Sequence, residues 1–295
     1  MAAEIKTVAI IGAGIMGRGI AHVAALGGYR TVLEDILPAS LRKAETEIRS
    51  NLDKAVELGK IDRARADEAF SRIEFAGSVE DAARTADFVI EAVPEDMESK
   101  MEIFSMLDRM CPPHTILATN TSSLNITEIA SVTMRSEKCV GMHFFNPVHK
   151  MKLIEVVRSA DTDDATLHAA LEVGRRMGKE TVVIHEAPGF ITSRINAMIG
   201  NEAFYMLGEG VATAADIDKA LKLGLNHPMG PFEMVDLVGL DTRLRILQYL
   251  HSTLGEKFRP APLLVQYVEE GRLGRKTGRG VFDYPDQGKQ KGSTI

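Results

Sequence analysis

Residues 7–23, TVAIIGAGIMGRGIAHV, constrain the chain more than any other stretch. A short apolar run passes into Gly12, Gly14 and Gly17 at G-x-G-x-x-G spacing, and an apolar helical pattern follows. Each glycine has a separate physical task. Gly12 permits a tight turn, Gly14 lets backbone N–H groups approach a pyrophosphate, and Gly17 lets the helix lie close to the strand. Ile15 and Met16, between the glycines, are cofactor neighbours on this reading. The anion would sit at a helix N-terminus, where N–H groups lack intrahelical partners. The next apolar strand ends in Glu34 and Asp35, and Asp35 follows Gly14 by 21 positions. That is close to the separation of about 20 expected of a carboxylate on an adenosine ribose. Of the two acids Asp35 is chosen. A carboxylate there repels a 2′-phosphate, so NAD is favoured over NADP, although Arg30 and Arg42 stand close by in sequence.

Apolar runs rich in Val, Ile and Phe recur at 7–11, 31–34, 88–93, 115–119 and 139–145, with two further strand candidates at 153–157 and 181–185. Continuous apolar strands alternating with helical patterns indicate a mostly parallel, doubly wound sheet covered on both faces, a Rossmann-like α/β fold. Between the second and third of these runs, Leu41, Ala44, Ile48, Leu52, Ala55 and Val56 repeat at helical spacing up to Gly59. That predicts an inserted helical hairpin. After residue 190 only helical patterns remain, at 191–207, 214–223 and 242–254, and Pro188 and Gly189 mark the change. The expected division is a dinucleotide-binding domain over 1–186, an all-helical domain over 187–284 and a disordered polar tail over 285–295.

The formal net charge of -6 argues against a chain built to neutralise nucleic-acid phosphates. No apolar run approaches the roughly 20 residues of a membrane helix. Cys111 and Cys139 are the only cysteines and have no metal-ligand or Cys-x-x-Cys spacing, which suits a reducing cytoplasm.

The chemistry is written in GMHFFNPVHKMKLIEVV, residues 141–157. Burying an imidazole or a carboxylate costs free energy unless something pairs it. His143 ends an apolar strand, and Glu155 follows after 12 residues, enough chain for a turn and a return strand. A nicotinamide cofactor implies hydride transfer, and oxidising an alcohol also needs a base near neutral pH, which histidine suits. Glu155 would orient the ring and stabilise its protonated form. Asn146 follows within the same turn and is a candidate substrate contact. In ATNTSSLNITEIA, residues 118–130, Ser122 is a candidate donor to the substrate oxygen and Asn120 a candidate cofactor contact; turn and cap chemistry is the plainer reading of the same segment.

The glycine turn, FVIEAVPED, ATNTSSL, HFFNP with a glutamate in the return strand, APGFITSRI and GLNHPMGPFEMVDLVGLDT together resemble the L-3-hydroxyacyl-CoA dehydrogenase family, most of all its bacterial 3-hydroxybutyryl-CoA members. The resemblance spans nearly the whole chain except the tail. It implies NAD-dependent, reversible oxidation of a (S)-3-hydroxyacyl-CoA ester, with His143 as general acid/base, Glu155 as its partner and Ser122 on the substrate oxygen. It also implies Glu95 and Lys100 near the nicotinamide side of the cofactor, and a dimer joined through the helical domain. One position departs: where the family usually has Asn in PGF-x-x-N-R, this chain has Ser193, so either Ser193 works through a water or Asn196, one helical turn on, takes over part of that contact.

Ser193 keeps open a second reading, in which the same His/Glu pair serves a CoA-free 3-hydroxy acid such as carnitine or gulonate. A dinucleotide-binding structural protein without catalysis is a third, disfavoured by the presence of His143, Glu155 and Ser122 together. His185, His227 and His251 show no metal spacing, and GRLGRKTGRG (271–280) reads as folding and assembly rather than phosphate binding. Lys54 and Lys60 on the helical hairpin are equally compatible with CoA phosphates and with a solvated face.

Overall fold

The structure, a computed structural model, describes residues 4–284. The tail expected to be disordered lies outside the described residues. By internal packing the chain divides into two compact units that meet at Ala187 and Pro188.

The first unit is built on an eight-stranded sheet in the order β3-β2-β1-β4-β5-β6-β7-β8. Its strands are β1 (Thr7–Ile11), β2 (Arg30–Glu34), β3 (Ile73–Ala76), β4 (Phe88–Glu91), β5 (Ile116–Thr119), β6 (Cys139–Phe144), β7 (Leu153–Arg158) and β8 (Glu180–His185). All neighbours pair in parallel except β6 and β7, which run antiparallel. Helices cover both faces: α1 (Ile15–Leu26), α2 (Pro38–Glu57), α3 (Arg63–Ser71) and α7 (Asp164–Arg176) on one, and α4 (Val79–Ala83), α5 (Met97–Met110) and α6 (Ile126–Ala130) on the other. Successive strand residues point to opposite faces, which is why β1 sends Val8 and Ile10 to one core and Ala9 and Ile11 to the other.

The helical hairpin is present. Ala44, Ile48 and Leu52 form its buried stripe, and α2 ends just before Gly59, whose φ of 65° few other residues adopt. One expectation needs correction. The sequence reading names no strand between those at 31–34 and 88–93, whereas after the hairpin the chain forms β3 and α4. With four residues at the sheet edge, of which Glu74 is exposed, β3 has no apolar run to announce it. It is secured across the edge by Arg30, which donates two 2.7 Å bonds to Glu74.

The second unit is helical: α8 (Thr192–Gly208), α9 (Ala214–Gly224), α10 (Pro231–Val238), α11 (Leu240–Leu254) and α12 (Pro262–Glu269) pack around Phe204, Phe232, Leu247, Leu250 and Phe258. The 271–280 loop belongs to this packing. Asp236 accepts from the N–H groups of Val281 and Phe282 and from the Tyr284 hydroxyl. A Cβ at Gly280 would stand 1.9 Å from Asp236 Oδ1. Close approach to a buried carboxylate therefore accounts for that glycine, in keeping with a folding role for the loop.

Candidate active site

The sheet's carboxyl ends collect the polar groups, as open α/β sheets do. At β1 the chain turns through Gly12 at φ 98° into α1. A Cβ at Gly17 would lie 1.7 Å from the Gly12 carbonyl oxygen, so the first turn of α1 can approach the strand only with glycine there. At Gly14 a Cβ would meet nothing within 4 Å. That open space lies at the N-cap of α1, where the helix's unpaired N–H groups favour an anion.

Two acids close the other side of the turn. The Gly12 N–H donates 2.9 Å to the Glu34 carbonyl, and the Ala13 N–H donates 2.9 Å to Asp35 Oδ2. Asp35 Oδ1 accepts from the Leu37 N–H, which fixes the carboxylate just beyond β2. Glu34 is only 2 % exposed, and its Oε1 has no hydrogen-bond partner within the protein. Burial, then the charge of Asp35, pushes its carboxyl up to about 7, with the Gly12 N–H pulling the other way. The open space over Gly14 and the orphaned Glu34 oxygen fit a dinucleotide lying across this turn.

A cleft of about 390 Å³ continues from the glycine turn, lined by Met16, Val93, Glu95, Asn120, Ser122, His143, Phe145 and Asn146 among others. His143 faces Glu155 in the antiparallel register of β6 and β7, so both side chains project from one face of the sheet. Imidazole Nδ1 lies 2.7 Å from Glu155 Oε2. Glu155 is fully buried and His143 nearly so. Phe145 leans on the imidazole with ring centroids 4.5 Å apart. Asn120 holds the end of β6 in place, its Oδ1 accepting 2.9 Å from the Phe144 N–H.

Ser122 enters the same cleft with its hydroxyl donating 3.0 Å to Glu95 Oε1, which also accepts from the Ser122 N–H and the Thr121 hydroxyl at 2.7 Å. Behind Glu95 is an ionic network that sequence reading missed. The Lys100 ammonium lies 2.7 Å from Glu91 and 3.5 Å from Glu95, and the Thr119 hydroxyl donates 2.7 Å to Glu91. Glu91 and Lys100 are both buried. Removing one member alone would strand a buried charge at a cost of about 3–5 kcal/mol. The signal was there in FVIE, an apolar strand that ends in a glutamate; its partner nine residues on is assigned by resemblance to the cofactor instead. Lys100, expected beside the nicotinamide, thus reaches the cleft through Glu95.

Ser193 and Asn196 belong to the second unit, on the opening turns of α8, three positions apart and so on one helical face. Among the described residues no group of three or more His, Cys, Asp or Glu could hold a metal ion.

A glycine turn followed by an acid at the end of the next strand, beside a cleft lined by a buried histidine, is the arrangement of a dinucleotide-dependent oxidoreductase. Residues 7–187 match the NAD-binding domain, and residues 189–284 the C-terminal domain, of 3-hydroxyacyl-CoA dehydrogenases. The chain belongs to that family of NAD-dependent enzymes. It is 46% identical over 285 residues to a probable 3-hydroxybutyryl-CoA dehydrogenase of Bacillus subtilis, covering 96% of this chain and 99% of the relative. Identity to the 3-hydroxybutyryl-CoA dehydrogenase of Bradyrhizobium diazoefficiens is 47%, covering 96% and 97%. The crystal structure of (S)-3-hydroxybutyryl-CoA dehydrogenase PaaH1 from Ralstonia eutropha superposes with a TM-score of 0.93 at 41% identity, covering 95% of this chain and 99% of that one.

Proposed function

We propose that this chain interconverts short-chain (S)-3-hydroxyacyl-CoA, 3-hydroxybutyryl-CoA foremost, and the 3-oxoacyl-CoA ester. The observation that carries the reading is the buried His143–Glu155 pair in a cleft that opens beside the glycine turn. With Nδ1 against a carboxylate, the tautomer protonated there is favoured, and acid/base exchange is assigned to Nε2. In the oxidative direction Nε2 takes the substrate's hydroxyl proton, and Glu155 stabilises the imidazolium formed. NAD, when bound, would supply the acceptor for the hydride of C3. Ser122 and Asn146 hold the substrate oxygen and acyl group on the cleft side, and Ser193 with Asn196 contacts the thioester from α8. Gly12, Gly14, Ile15, Met16, Gly17, Asp35, Asn120 and Glu95 hold the cofactor, Lys100 acting by fixing Glu95.

Two further assignments go with this reading. The helical unit joins two copies into a homodimer, supported by the exposed apolar stripe Ile191, Ile195 and Met198 along the start of α8. The enzyme works in a reducing cytoplasm, supported by two buried thiols, Cys111 and Cys139, each pushed up to about 12 chiefly by burial. No helix among the described residues is long and apolar enough to cross a membrane.

Initial rates with NAD and, in turn, (S)-3-hydroxybutyryl-CoA, carnitine and gulonate test the function. The CoA ester should have the highest kcat/KM by a wide margin. Preference for carnitine or gulonate would move the chain to the CoA-free class, and a folded, NAD-binding protein inactive on all three would be a binding protein.

A further inference from the structure

In the proposed cofactor reading, on which this inference rests, Asp35 takes the ribose contact and its neighbour is left without a task. Glu34 ends β2, buried, with an oxygen that no protein group satisfies. Such a group costs free energy where it stands. The flanking strands offer it no counterion, since the residues at its level are Ile11 on β1 and Ala76 on β3. Asp35 is the titratable group whose charge acts on it, and the Gly12 N–H is the backbone donor beside it. Glu34 therefore shares its surroundings with the glycine turn and Asp35, the two features that receive the adenosine half of the cofactor.

We propose that Glu34 is a second reader of the cofactor's adenosine, its carboxyl group hydrogen-bonding there beside Asp35. Two adjacent carboxylates would repel each other and would also oppose the pyrophosphate at the turn. A neutral acid avoids both and gains an O–H donor, which the ring nitrogens of adenine or the ribose oxygens can accept. Because burial and the charge of Asp35 push the Glu34 carboxyl up to about 7, it is protonated and engaged in mildly acidic solution and ionised in alkaline solution. Cofactor affinity should fall across that change, while the nicotinamide half, on the cleft side, should not sense it.

Calorimetric titrations of the full-length protein with NAD, ADP-ribose and nicotinamide mononucleotide test this. Between about pH 6 and about pH 8.5 the dissociation constants of NAD and ADP-ribose should rise by up to about 30-fold, as the neutral fraction drops to a few per cent. That of the mononucleotide should stay level. Glu34→Gln keeps a donor and cannot ionise, so its ADP-ribose affinity should be pH-independent and close to that of the wild type in acid. A level wild-type profile for ADP-ribose, or a Glu34→Gln protein that retains the wild-type pH dependence, overturns the proposal. Should the variant fail to fold, the wild type alone decides, because equal pH dependence for ADP-ribose and the mononucleotide overturns it as well.

Discussion

Glycine is required for different reasons at Gly14 and Gly17, and the two can be separated experimentally. Gly14 has φ of −61°, which alanine adopts freely, and space around its missing Cβ. Gly14→Ala should change stability by no more than about 1 kcal/mol, yet cost NAD affinity tenfold or more by filling the room a pyrophosphate needs. Gly17→Ala puts a methyl into a backbone carbonyl, so it should lower the urea midpoint itself, by an overpacking cost of about 1–3 kcal/mol. Equal thermal stability for the two variants would remove the distinction. A second residue-scale prediction concerns His22, on the third turn of α1. Burial first, then the nearby His149 and Lys179, lowers its pKa from 6.5 to about 4. The folded state refuses a proton that the unfolded chain accepts, so this contribution is complete above about pH 6.5 and is lost as pH falls towards 4. Its full size is on the order of 3 kcal/mol. Glutamine at position 22 cannot titrate, so the wild-type stability advantage over His22→Gln should shrink between pH 7 and pH 4.5; a constant difference would show that His22 takes no part in acid unfolding.

At the scale of elements, the β6–β7 hairpin does what no single residue can. A one-residue slip of β7 would turn Glu155 to the opposite face, so the proposed acid/base pair depends on the antiparallel register that sets His143 against Glu155. His143→Ala should lower kcat by roughly 10²-fold to 10⁴-fold, the usual contribution of a positioned base, with NAD affinity nearly unchanged. Glu155→Gln should lower kcat less. If the two act as a unit, the double variant should be little worse than His143→Ala alone, whereas fully multiplicative losses would make the pair structural. This hairpin was legible in the sequence because two costly polar residues stood in apolar strands with a turn between them, and each had to be explained. The glycine turn was legible because its spacing carries its own geometry. The β3 strand was not, since an edge strand of four residues needs little apolar sequence. Nor was the Glu91–Lys100 pair, since resemblance set Lys100 beside the nicotinamide and nothing in its spacing tied it to the carboxylate that ends β4. Glu34 was read as the lesser of two acids because sequence shows adjacency and not burial.

Across the whole molecule the proposed contacts divide by unit: every cofactor residue lies in the first and both thioester residues, Ser193 and Asn196, lie in the second. Substitutions in the second unit should therefore separate substrate handling from cofactor binding. Position 193 is the place to look, because a serine hydroxyl supplies one donor where an asparagine amide supplies two and reaches further. Ser193 is partly exposed on the opening turn of α8. Ser193→Asn should fold with an unchanged melting temperature and bind NAD as the wild type does, while kcat/KM for (S)-3-hydroxybutyryl-CoA changes. A change confined to KM would mean that residue 193 holds the ester equally in the ground and transition states, and a change in kcat that it aligns C3 for transfer. If acyl-CoA kinetics stay level while turnover of carnitine or gulonate rises, the CoA-free class becomes the better assignment. If NAD affinity moves instead, the division of labour between the units is wrong, and α8 must be counted with the cofactor site.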